Sequence, residues 1–277
     1  SKQEARLFNQ FLKSVYAQRS EDPHTFDELE KTLALHPDSK YLKRLLVAQA
    51  LADGTPARAD AYADFISQGE NEAEDWMVYA AYQWKKGRLE EAGEAYEKAL
   101  KLEPDNVRIL YQYVLLLSVT DLDQAVEKLL SLAQQYPSLT SDIYTEIGTL
   151  YKRANQLDKA LSYYNKAVEA DPSNPQARLG RGEVYEKKSQ YFLMLHEFEE
   201  LEKMGYANAG TLSRMASVFL LVKDWPKAEA YFLKAKADDN GDVPSAYFLA
   251  LLAEEKGDYS RAIGYLKDSA DYDRSSS

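Results

Sequence analysis

The sequence predicts an all-α protein, a solenoid of stacked helical hairpins, on three observations. The first is a pattern that returns about every thirty-four positions along the 277 residues. A small residue is followed four positions later by an aromatic or leucine, and three after that by another small residue or leucine. It runs Ala92-Tyr96-Ala99, Ala125-Leu129-Leu132, Ala160-Tyr164-Ala167, Met194-Phe198-Leu201, Ala228-Phe232-Ala235 and Ala262-Leu266-Ser269, with first members 33, 35, 34, 34 and 34 positions apart. A fixed period of this length marks a repeat array, whose units bury their apolar faces only by stacking. The second observation is an upstream signature: Ala80, Val114, Gly148, Gly182, Ala216 and Ala250 are followed three positions on by Gln83, Leu117, Tyr151, Tyr185, Phe219 and Ala253. Trp76, Leu110, Tyr144 and Leu212 precede four of them at helical spacing, so each copy is two amphipathic helices. The third is punctuation. Gly87, Asn155 and Gly257 separate the two helices, and Pro104, Pro137 and Pro172 stop the second.

Small residues at fixed places let two helix backbones approach closely, and the aromatic one turn further on fills the wedge between them. This set of residues resembles the tetratricopeptide repeat (TPR) family. Its consensus places a large residue, Leu-Gly and Tyr on the first helix, then Ala, Phe, Ala and Pro on the second. The stretch 141–174 matches most fully, with Tyr144, Ile147, Gly148, Tyr151, Ala160, Tyr164, Ala167 and Pro172 in place. The resemblance implies a right-handed α-solenoid superhelix of about eight helix-turn-helix repeats, covering 1–277 as a single array.

Carrying that register along the chain gives the units in order. Residues 1–38 form a degenerate unit, with Leu7, Phe8, Phe11, Leu12, Val15 and Tyr16 at helical spacing and Pro37 as a stop. In 39–72 the second helix is expected to start at Pro56, where proline suits a first turn, and Ala59, Ala63 and Ile66 fit the consensus with a shift of one. The unit 73–106 is close to consensus. In 107–140 one residue is missing between the helices, so Thr120-Asp121-Leu122-Asp123 predicts a tighter turn. Units 141–174, 175–208, 209–242 and 243–276 complete the array. Terminal copies are atypical because one face lacks a neighbour.

Composition narrows the partners. With 34 Lys+Arg against 45 Asp+Glu the formal net charge is −11, which repels a phosphate backbone, so no nucleic acid is expected. The longest apolar stretch, 109–119, is about half a bilayer span and already serves as a first helix, so no membrane span is expected. The sequence starts at Ser1, which reads as a trimmed or processed product from which a signal peptide or anchor would leave no trace. Cysteine is absent, which fits a disulfide-free protein of either compartment. The repeat style resembles bacterial arrays, among which exported members are common, and leans toward a periplasmic location.

Chemistry-bearing patterns are few. His24, His36 and His196 are scattered, without the spacing and third ligand of a metal site, and there is no phosphate-cradling glycine loop or nucleophile elbow. Adjacent acids such as Glu199-Glu200 and Glu254-Glu255 point in different directions on a helix and read as solvated surface. No catalytic activity, metal or cofactor is therefore expected.

What remains is recognition. In the family this chain resembles, the first helices line a concave face that holds an extended peptide. At the matching places Met77, Trp84, Tyr111 and Leu115 are expected to form one aromatic-apolar spot, and Tyr247, Phe248 and Leu251 a second. Each set has a competing reading as packing between repeats. The run Tyr191-Phe192-Leu193-Met194-Leu195 puts Phe192 and Leu193 where better copies carry charge, so an outward convex patch is expected. The Lys and Asn clamp of chaperone-binding members is not reproduced, since Lys43 is followed by Val47 where asparagine would stand. The function expected is a non-catalytic interaction scaffold for a peptide or protein segment. Two alternatives are an accessory region of a larger enzyme and a homo-oligomerising module.

Overall fold

The computed structural model describes residues 26–67, 71–238 and 243–275. Among them all regular structure is helical, and the chain divides into two compact units, Ser1–Leu139 and Thr140–Ser277. The expected leading helix with Leu7, Phe8 and Phe11 lies outside the described residues.

In the first unit, α1 (Phe26–Leu35) is followed by α2 (Lys40–Ala52), which starts where the Ser39 side chain accepts from the Leu42 N–H. Pro56 opens a 3₁₀ turn (Pro56–Ala59) rather than the α-helix itself, and α3 (Asp60–Ser67) follows it. The expected helix start is thus corrected by one turn. Ala59 and Ala63 are nonetheless fully buried, so the shifted small-residue register serves its packing purpose. Their core also holds Phe26, Leu29, Leu33, Leu46 and Val47.

The helices α4 (Ala73–Lys85) and α5 (Leu89–Leu102) form the next hairpin, and α6 (Val107–Thr120) with α7 (Leu122–Gln135) the one after. The tight turn predicted in 107–140 is a single residue. Asp121 ends α6, and its carboxylate accepts from the Gln124 N–H at 3.0 Å to cap α7. Ala92, Ala95, Tyr96 and Ala99 are all buried, and Tyr96 stacks on Tyr113 with ring centroids 5.8 Å apart.

In the second unit the hairpins are α8 (Thr140–Arg153) with α9 (Leu157–Ala170), α10 (Pro175–Lys187) with α11 (Tyr191–Lys203), α12 (Ala209–Leu221) with α13 (Trp225–Asp238), and α14 (Val243–Glu255) with α15 (Tyr259–Ser275). Each second helix here except α15 packs against its own first helix and the first helix of the next hairpin. Close approach at the small residues is extreme. A Cβ built on Gly148 would come within 2.9 Å of the Tyr164 ring, one on Gly180 within 2.4 Å of it, and one on Gly182 within 2.5 Å of Phe198.

Apart from the one-residue turn at Asp121 (φ −151°), the turns between the paired helices take a left-handed residue. Gly87, Asn155 and Gly257 fill that place as expected, and Ser189 (φ 57°) and Lys223 (φ 61°) fill it in two hairpins whose sequences lack the signal.

One hairpin replaces aromatic packing by charge. On α10, Arg178 and Arg181 occupy places that are apolar in neighbouring copies, and both point at Glu197 of α11, whose side chain is 3 % exposed. Arg181 donates to Glu197 at 2.7 Å and to Asn165 of α9 at 3.1 Å, so its guanidinium ties α9, α10 and α11 together. At the equivalent place in the next hairpin Tyr231 stacks on Phe219 instead, at 5.4 Å.

Candidate functional site: the face of the first helices

The predicted groove residues lie on first helices, and packing divides them into two groups. On α4, Met77 rests partly buried against the core of the first unit and Trp84 is partly exposed. On α6, Leu115 is partly exposed, whereas Tyr111 is only 3 % exposed. Of the two readings open for Tyr111, a presented side chain or packing between repeats, its burial agrees with packing: the side chain is interior. The α6 sequence brings this about, because Ile109, Tyr113, Val114, Leu116 and Leu117 are buried as well and leave few of its positions outward.

Two acid-base arrangements flank these side chains in the first unit. Arg44 of α2 donates to Glu72 and to Asp75 of α4, each at 3.1 Å, and Asp75 also accepts from the Glu72 N–H at 2.9 Å. Arg108 of α6 pairs with Glu74 of α4. Burial and the nearby Arg44 charge lower the Arg108 guanidinium from its usual range.

In the second unit a row of ion pairs crosses three successive first helices. Lys152 of α8 pairs with Glu183 of α10, and Glu183 pairs in turn with Arg214 of α12 at 3.5 Å. Arg214 also approaches Glu186 at 3.6 Å. Although burial opposes it, hydrogen bonding to Glu183 is among the effects that leave the Lys152 ammonium above its usual range. Beside this row, Glu146 of α8 has one buried carboxylate oxygen without a hydrogen-bond partner. Desolvation raises its pKa, against the opposing pull of Arg153. Sequence register places these residues on one face; that they join into a row depends on side-chain reach across helices.

The second predicted spot splits. Tyr247 on α14 is 52 % exposed and Leu251 39 %, but Phe248 turns inward and stacks on Phe232 of α13 at 5.0 Å. Phe248 is therefore corrected from a presented side chain to a core contact, with Tyr247 edge-on to it at 5.7 Å.

The outward patch on α11 stands clear of the core: Phe192 is 74 % and Leu193 46 % exposed, while Met194 behind them is fully buried. Met194 in the place of alanine is accommodated without drawing its neighbours inward. A third exposed apolar group went unnoticed in sequence. Leu221, Val222 and Trp225 surround the α12–α13 turn, with 64 %, 47 % and 45 % exposure. The signal was available, since the same turn carries Lys85-Lys86, Lys187-Lys188 and Glu255-Lys256 in other copies.

With this geometry in hand, comparison with known proteins is direct. The tetratricopeptide repeat family model matches residues 18–187, more than half of the chain, and the chain belongs to that family. It is 31 % identical over 90 residues to human tetratricopeptide repeat protein 7A, a match covering 32 % of this chain and 10 % of that protein. Among solved structures, the C-terminal part of a TPR repeat-containing protein from Cytophaga hutchinsonii superposes with a TM-score of 0.58 at 18 % identity, over 85 % of this chain and 95 % of that one. Yeast Tom70 superposes with a TM-score of 0.56 at 17 % identity, over 89 % of this chain and 54 % of that one. The match thus spans about a tenth of the human relative, and these structural likenesses establish the shared solenoid fold. No helix of the described residues is long and apolar enough to cross a membrane.

Proposed function

We propose that the chain is a non-catalytic scaffold that holds a peptide or protein segment on the face of its first helices. The observation that carries this reading is the apolar surface that repeat packing leaves uncovered there. Met77, Trp84 and Leu115 are incompletely buried on the first unit, and Tyr247 and Leu251 are exposed on the second. Among them Trp84 and Tyr247 are of the large, rigid, amphipathic kind that dominates protein recognition energetics. The Lys152, Glu183 and Arg214 row would orient a bound segment more than it would strengthen its binding.

Selection of peptides from a random library against the immobilised chain, followed by titration of one binder, tests the reading. Trp84→Ala should weaken binding by roughly 30-fold, equivalent to about 2 kcal/mol, with the thermal midpoint unchanged. If the midpoint falls and binding falls only in proportion, Trp84 is a packing residue and the site is discarded. A second reading, contact through the opposite helix layer, is favoured by the exposed Phe192 and Leu193 alone.

A further inference from the structure

Two successive turns of the second unit put apolar side chains outward. The α10–α11 turn leads into Phe192 and Leu193, and the α12–α13 turn carries Leu221, Val222 and Trp225, all five exposed. The two groups stand together at one end of their hairpins, because residues next to them along the helices, among them Met194, Leu195, Val218 and Phe219, join in one core cluster beneath. A further hairpin packs on either side, α8 with α9 before and α14 with α15 after, so this exposure does not come from a missing neighbour.

Charge singles out the same two turns. Residues 187–193 hold Lys187 and Lys188 and no acid, and residues 221–227 hold Lys223, Lys227 and one acid, Asp224. Asp224 pairs with Lys227 at 3.3 Å, and Lys188 pairs with Asp158 of α9 at 2.6 Å. Lys187 and Lys223, both exposed, make no ion pair among the described residues. In a chain of net charge −11, the apolar turns are thus the ones with uncompensated positive charge, while the next turn, α14–α15, carries Glu254, Glu255 and Asp258 beside Lys256.

We propose that this double turn rests on a lipid bilayer with anionic headgroups, its apolar side chains entering the interface and Lys187 and Lys223 reaching the phosphates. Tryptophan belongs at that depth, with its ring in apolar surroundings and its N–H wet, and lysine lays its methylene stem along hydrocarbon while its ammonium stays among the headgroups. Residue choice favours lipid over protein. All four bases of the two turns are lysine, which is depleted from protein interfaces, and none is arginine, which is enriched there. Shape agrees, since the tips of turns suit a flat, yielding surface better than a peptide segment, which recognition modules hold in a groove or along a sheet edge. Such a contact needs no membrane-spanning helix. The acidic remainder of the chain is screened beyond a Debye length of about 8 Å at physiological salt, so the contact is reversible and salt-dependent. This inference goes beyond the scaffold reading and stands without it.

Flotation of the whole chain with vesicles of phosphatidylcholine alone, and of phosphatidylcholine with phosphatidylglycerol, is the experiment. Wild type should bind the anionic vesicles about 25-fold more strongly than the neutral ones, about fivefold for each uncompensated lysine. Lys187→Gln with Lys223→Gln should bring anionic binding down to the neutral level. Phe192→Ser with Leu221→Ser should weaken binding to both kinds of vesicle by at least about tenfold, with helicity and thermal midpoint unchanged. Brominated lipid in the anionic vesicles should quench wild-type tryptophan fluorescence, and Trp225→Phe, which keeps Trp76 and Trp84, should abolish the quenching. If the serine variant loses stability, the quenching decides alone. A wild type that floats with neither vesicle would overturn the proposal and leave the double turn to a protein partner. Flotation that survives in a stable serine variant, or quenching that survives Trp225→Phe, would overturn it by moving the lipid contact elsewhere. Binding indifferent to lipid charge would overturn the part given to the lysines.

Discussion

The aromatic that fills the wedge of each hairpin does so with or without a use for its hydroxyl. Tyr96 and Tyr164 stand at equivalent places, both fully buried, and burial pushes both phenols above their usual pKa. The Tyr164 hydroxyl lies 3.0 Å from Thr149 Oγ1, but the Tyr96 hydroxyl is buried with no partner. A buried, unpaired hydroxyl costs about 1–3 kcal/mol of desolvation, and a satisfied one contributes about 1. Tyr96→Phe should therefore leave stability unchanged or raise it by up to ~1 kcal/mol, while Tyr164→Phe lowers it by about the same amount. Urea denaturation of the two variants beside wild type checks this. Equal losses in both would mean that Tyr96 has a partner in solution. The Arg178, Arg181 and Glu197 cluster shows the same accounting at higher stakes. A carboxylate 3 % exposed is tolerable only because two guanidiniums hold it, and losing one member of such a set typically costs several kcal/mol.

At the scale of the element, most of the fold was legible because each helix is specified by spacing that a sequence displays directly. Small residues at positions such as 92, 160 and 228 are fully buried, and the one-residue turn at Asp121 follows from the missing position in that copy. What was hidden depends on neighbours in space. Ser189 and Lys223 take the left-handed turn only because the hairpin geometry around them imposes it, at a cost of order 1 kcal/mol for a residue with a Cβ. Tyr111 and Phe248 read as surface by register yet are drawn inward, Phe248 onto the ring of Phe232. Among glycines the sequence does not distinguish use from permissiveness; the structure does. A Cβ on Gly93 of α5 would lie an ordinary 4.0 Å from Leu116 and Tyr113, whereas one on Gly182 would collide with Phe198. Gly93→Ala should stabilise by about 0.5–1 kcal/mol through helix propensity. Gly182→Ala should destabilise by about 1–3 kcal/mol through overpacking. Chemical denaturation of both variants tests the register, and the opposite pair of signs would show that Gly182 is not a close crossing point.

At the scale of the whole molecule, an array's stability is a sum over hairpins and their nearest neighbours, so a side chain left outside their buried core is free to be kept for another purpose. Phe192 and Leu193 meet that condition: both project from α11 while Met194, Leu195 and Phe198 supply its buried side. Two outward apolar residues in a chain of net charge −11 carry a solubility cost with no return in folding energy, which is the argument for a contact there. Phe192→Glu with Leu193→Glu should accordingly change stability by no more than about 0.5 kcal/mol, the range of surface substitutions. It should also reduce binding of a nonpolar fluorescent probe such as ANS to the folded chain. Both quantities come from one thermal and one fluorescence titration on the same preparation. A loss of 2 kcal/mol or more would be of the size that follows from opening a core, and would reassign the two residues to packing. An unchanged probe signal would place the accessible apolar surface elsewhere, with the Leu221, Val222 and Trp225 turn as the next surface to alter.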